Sequence, residues 1–99
     1  MKGDKVYVDR DLKALIPQFM NNRKEEVKQL KELFATDNLE EIESLSHAIK
    51  GTGGGYGFDK VTELGRKIEQ AAAQEKREQI KESITELEEH LEMVEIIYK

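Results

Sequence analysis

No cysteine occurs among the 99 residues, which excludes disulfides, thiol catalysis and the common zinc sites, and fits a reducing compartment. Proline is limited to Pro17, so little in the chain interrupts helices. No apolar run is long enough for a signal peptide or a bilayer span, and the expectation is a soluble cytoplasmic protein with no membrane role. An excess of positive charge is also missing. The net charge of −5 argues against a general nucleic-acid binder. The length suits one domain, residues 1–99, with a modest core and little room for a walled active site. Its work is therefore expected at the surface.

What the chain does contain is charge and helix-forming residues, with 37% charged and 37% hydrophobic. The first ten residues, 1–8 above all, are expected to be loosely ordered. Asp9 or Asp11 caps a short leading helix containing Leu12, Leu15 and Ile16. Pro17 ends that helix and occupies the first turn of the next. Phe19, Met20, Val27, Leu30 and Phe34 then recur at helical spacing up to about Ala35. The "ATDN" turn follows, with Asp37 or Asn38 as the next cap.

A second long helix carries Leu39, Ile42, Leu45 and Ile49, and a third carries Val61, Leu64, Ile68, Ala71 and Ala72. The last is an apolar seam of Ile80, Ile84, Leu87, Leu91, Val94 and Tyr98. No segment alternates like a strand. The expected fold is an all-α, antiparallel up-down four-helix bundle with a short leading helix.

Glycine is scarce except in one place, where five of the seven fall within residues 51–57, directly after a helix that holds His47. With about 100° per residue and Leu39 at zero, Ile42, Leu45 and Ile49 fall between about 240° and 300°. His47 falls near about 80° on the opposite face, with Lys50, Gly51 and Gly54 about it. Gly51 is the i+4 neighbour, where a side chain would stand over the ring. Each glycine inside a helix costs about 1 kcal/mol relative to alanine. Either the helix ends at Gly51 in a loop, or helices pack closely here, or a large partner must reach His47. Residues 48–67 carry a net +2 against −7 for the remainder, so the surroundings are locally basic and suited to an anion or acidic partner.

Other chemistries fit poorly. No Gly-Lys-Ser/Thr occurs, G-x-G-x-x-G fails at Tyr56 and Phe58, and no strand precedes the glycines, so nucleotide binding is rejected. The di-iron bundles need Glu three residues before His, whereas Ser44 and Leu87 stand there before His47 and His90. No metal site is expected, and His90 is read as a surface or flanking residue without a role. Ser46 falls on the core side, as a small packed residue bonding a backbone carbonyl and not as a nucleophile.

The stretch "HAIKGTGGGYG" resembles the H-x-x-K-G signature of the histidine phosphotransfer domains of bacterial two-component phosphorelays, with a further glycine six residues on. "LGRKIEQAA" resembles the helix that follows it, and the likeness extends over nearly the whole chain. The resemblance implies a four-helix bundle that is a phosphocarrier and not an independent enzyme. His47 would be the phosphoacceptor, exchanging the group with the aspartate of a receiver domain. Lys50 would stabilise the phosphoryl oxygens, Gly51 and Gly54 would leave room for docking, and Gly57 would permit a tight approach of neighbouring chain.

The resemblance also points to the residue 22 positions after the histidine as the imidazole's acceptor. Here it is Glu69, where members often carry glutamine. An exposed imidazole titrates near about 6.5 and is largely neutral in cytosol, so one nitrogen attacks while an acceptor holds the proton on the other. No cofactor is expected in this chain; the receiver would bring Mg²⁺. The expected partners are a response-regulator receiver domain, a hybrid histidine kinase, or both, with the chain a monomer. A helical protein-binding adaptor without phosphotransfer is the alternative, and a kinase dimerisation and phosphoacceptor domain is disfavoured by the glycine-rich helix end.

Overall fold

Helix starts and stops follow the local chemistry closely in the computed structural model, which describes residues 4–99. Asp9 accepts from the backbone N–H of Asp11 at 2.9 Å and opens a 3₁₀ helix over Arg10–Leu15. It runs directly into α1 (Ile16–Ala35), whose first turn holds Pro17, the position where a missing N–H costs least. Asn38 caps α2 (Leu39–Gly53) by accepting from Glu41 N–H at 3.4 Å. A 3₁₀ turn, Gly54–Tyr56, separates α2 from α3 (Asp59–Ala73), and α4 spans Arg77–Met93.

The four helices close a ring in which α1 meets α2 and α4, and α3 meets the same two. Their directions alternate. Arg77, at the start of α4, donates two bonds to the Asp37 carboxylate at 2.6 and 2.9 Å, which places it beside the turn between α1 and α2. The end of α1 and the starts of α2 and α4 therefore share one end of the bundle. Leu30, Ile42, Ile49, Leu64, Ile68, Ile80 and Leu87 are wholly buried along the axis. Each such side chain contributes about 1.5–3 kcal/mol on burial. The turn between α2 and α3 is anchored separately. Phe58 is fully buried, and the Phe19 ring lies 4.8 Å from it and 4.7 Å from Tyr56.

Three expectations are corrected. The chain does contain strands: β1 (Lys5–Val8) pairs in parallel with β2 (Glu95–Tyr98), register Val6 to Ile96 and Val8 to Tyr98. Residues 5–8 are thus ordered; of the stretch expected to be loose, residues 1–3 lie outside the described residues. Val94 and Tyr98 do not continue the α4 seam, because the helix ends at Met93 and Val94 is extended. A two-stranded sheet is marginal alone. This one is held by burial of Val6 and Val8 against the bundle.

The third correction concerns His90. It is buried, with its Nδ1 3.0 Å from Asp4 Oδ2, an oxygen that also lies 3.1 Å from Lys60 Nζ. Asp4 therefore ties the segment entering β1 to α3 through Lys60 and to α4 through His90, and His90 Nε2 is buried with no partner among the described residues.

Candidate functional site

The seam between α2 and α3 is where side chains with chemistry converge. Two glycines set its width. A Cβ on Gly65 would stand 2.8 Å from Lys50 N, 3.0 Å from Lys50 Cα and 3.1 Å from Ser46 O, all of it helix backbone. One on Gly53 would stand 2.5 Å from Thr62 Oγ1 and 2.6 Å from Phe58 O. The two backbones approach closely only because both positions lack a side chain. Gly53 thus answers the close-packing reading of the glycine cluster. Gly65 stands apart from that cluster, and its only sequence signal is a small residue one turn before Glu69.

That closeness brings Glu69 onto α2. Its Oε2 lies 2.7 Å from His47 Nδ1 and its Oε1 lies 2.9 Å from Lys50 Nζ. One carboxylate thus bridges both residues. The Lys50 ammonium holds the Glu69 carboxyl below the usual carboxylate range; desolvation opposes it, and the imidazole adds a smaller lowering effect. An ionised Glu69 is acceptor-only, so His47 Nδ1 is the donor and carries the proton. Nε2 is then left with its lone pair. The His47 side chain is 67% exposed, which leaves that nitrogen open to an incoming group. Ser46 turns inward as expected, donating to Ile42 O at 2.6 Å.

The remaining glycines separate by role. Helix α2 does not end at Gly51 but continues through Gly53, so Gly51 is helical surface. An added Cβ at Gly51, Gly54 or Gly55 would meet nothing within 4 Å. A shallow groove of about 620 Å³ borders Gly51, Gly55 and Tyr56 and is also lined by Leu15 and Phe19. Gly57 meets its constraint inside the chain. It has φ +86°, closes the 3₁₀ turn by donating to Gly54 O at 3.3 Å, and a Cβ there would lie 3.0 Å from Tyr7 O. Its tight approach is to β1.

The basic stretch around His47 is less free than its net charge suggested. Lys50, Lys60 and Lys67 are paired with Glu69, Asp4 and Glu63 at 2.9, 3.1 and 3.7 Å. Among the described residues no group of three or more His, Asp or Glu side chains is placed to hold a metal ion. Among the described residues no helix is long and apolar enough to cross a membrane.

The arrangement is an exposed imidazole with one nitrogen held by an ionised carboxylate, the other open, and a glycine surface beside it. A family model described as the Hpt domain matches residues 14–96 of this chain. No curated protein and no solved structure matches it.

Proposed function

The chain belongs to the Hpt domain family, and we propose on that premise that His47 is its phosphoacceptor. The family serves histidine phosphotransfer in phosphorelays, as a phosphocarrier and not a catalyst, and its members generally interact with response-regulator receivers or kinases. The observation that carries the assignment to His47 is the 2.7 Å bond from its Nδ1 to Glu69 beside an otherwise exposed ring.

In the proposed step, Nε2 attacks the phosphorus of an aspartyl phosphate on a receiver domain. The N–P bond forms as the P–O bond breaks, and the aspartate leaves as a carboxylate. The proton stays on Nδ1, where Glu69 stabilises the cationic phosphoimidazole. Lys50 balances the Glu69 charge and adds positive potential on the side from which the phosphoryl oxygens approach. Gly51 and Gly54 admit the receiver's surface to the ring. Mg²⁺, brought by the receiver, neutralises phosphoryl charge when bound. Reversal of the same step returns the group to an aspartate. His47 itself takes up and gives back the phosphoryl group in each cycle, which is why the chain is read as a carrier that completes a shared site.

The test is transfer from a phosphorylated receiver with Mg²⁺, comparing the native chain with His47→Gln. Acid-labile, base-stable label on the native chain alone is the expected result. Label on both proteins would place the phosphate elsewhere and reject His47.

A further inference from the structure

The two-stranded sheet has one closed edge and one open edge. The outer edge of β1 faces the turn between α2 and α3, where Tyr7 O lies against Gly57. Among the described residues none bonds the outer edge of β2. Glu95 N–H donates to Asp4 O at 2.8 Å, Lys99 N–H donates to Val8 O at 3.0 Å, and Lys99 O accepts from Arg10 N–H at 3.1 Å. Odd-numbered residues of β2 therefore turn their backbone groups toward β1. By the alternation of a ladder, Ile96 and Tyr98 turn theirs away, and no described residue bonds them.

Open edges are normally blunted by proline, a bulge or an inward charge. None interrupts Glu95-Ile96-Ile97-Tyr98-Lys99, which is β-branched and aromatic at its centre with one charge of each sign at its ends. That order is self-complementary. Turned antiparallel on itself about Ile97, it sets Glu95 opposite Lys99, Ile96 opposite Tyr98, and Ile97 opposite its own copy. In this register the residues facing each other with free backbone groups are Ile96 and Tyr98, the two that need partners. Opposite charges and aromatic–aliphatic pairs across strands are each favourable. On the outer face Tyr7 is 53% exposed, and Met93, in the helix end just before β2, is 51% exposed; they are two of the three large exposed hydrophobic residues among those described.

We propose that the outer edge of β2 pairs antiparallel with β2 of a second copy, joining two bundles through a four-stranded sheet. This departs from the monomer expected above. The interface is small, so the dimer is a weak one, with Kd between about 10 µM and 1 mM. The inference is independent of the role of His47, and its test uses no phosphotransfer.

Sedimentation equilibrium of the 99-residue chain, up to roughly 2 mM, reads the association. Ile97→Lys places like charges at the two-fold axis and is expected to weaken it at least about tenfold. Lys99→Glu sets a carboxylate opposite Glu95 of the second copy and weakens it as well, whereas the double variant Glu95→Lys/Lys99→Glu restores it. Far-UV circular dichroism checks that each variant keeps its helices. Hydrogen exchange supplies a local readout. Protection of the Ile96 and Tyr98 amides is expected to rise with concentration, while the Ile97 amide, facing β1, is protected throughout. A native chain that stays monomeric over the whole range overturns the proposal. So does a dimer indifferent to Ile97→Lys, or Ile96 and Tyr98 amides that never gain protection.

Discussion

The backbone nitrogen of Lys50 lies 2.8 Å from where a Cβ on Gly65 would be. That separation sets the distance between α2 and α3, and through it the reach of Glu69 to His47. Ordinary helix propensity favours alanine over glycine by about 1 kcal/mol. At Gly65 the sign should reverse, because the added methyl has only backbone to push against. Gly65→Ala is expected to destabilise the fold by about 1–3 kcal/mol, the usual cost of overpacking. Gly51→Ala, with open space around it, is expected to stabilise by up to about 1 kcal/mol. Urea denaturation of the two variants checks the pair, and equal effects of one sign would contradict the packing argument.

Bulk at Gly51 should separate folding from function. Gly51→Glu places a long acidic side chain on open helical surface one turn from His47. The melting temperature is expected to change little. The rate of phosphoryl transfer from a receiver should fall by about tenfold or more, since the side chain blocks close approach and repels phosphate. A variant with native transfer kinetics would remove Gly51 from the docking surface.

Glu69 is expected to act as a positioning residue for the imidazole. Nitrogen-15 chemical shifts of native His47 should report a proton on Nδ1. In Glu69→Ala that preference should relax toward a mixture of tautomers, with transfer slowed by up to about 10²-fold through loss of orientation. Glu69→Gln keeps an acceptor without the charge, so it should recover much of the rate. A Glu69→Ala variant with the native tautomer and rate would show the bridge to be structural only.

Stability should fall with acidity in two separate windows. Desolvation pushes the His90 imidazole below its ordinary 6.5, opposed by the Asp4 carboxylate. The unfolded chain therefore binds that proton first as pH drops, so stability is complete above about pH 6.5 and declines below it. Lys60 and then His90 hold Asp4 below the usual carboxylate range, and Lys50 does the same for Glu69. Their contribution is present above about pH 4.5 and is lost as pH falls through the folded-state values. Denaturation at pH 8 to 3 should show both declines in the native chain. His90→Gln should lose the first and keep the Glu69 part of the second, with the Asp4 part reduced, and an unchanged slope between pH 7 and 5 would assign that decline elsewhere.

Much of this molecule was determined by the sequence alone. The four helices, the caps at Asp9 and Asn38, the place of Pro17, the inward turn of Ser46 and the outward turn of His47 all follow from spacing and local hydrogen bonding. Those are interactions within a few residues, so a linear reading captures them. The signature around His47 was equally local.

What only the tertiary structure decided depends on partners far apart in the chain. Glu95–Tyr98 has the spacing to extend a helical seam, but pairing with residues 5–8, at the opposite end of the chain, favours the extended form. His90 sits where a helix period alone makes it a flanking residue; packing of the entering strand buries it. Gly65 looks like any small residue until the α2 backbone stands against it. The resemblance already pointed to Glu69 as the acceptor for His47; that the same carboxylate also reaches Lys50, and that either contact forms, depends on that glycine letting two helices meet, a distance that no spacing within either helix encodes.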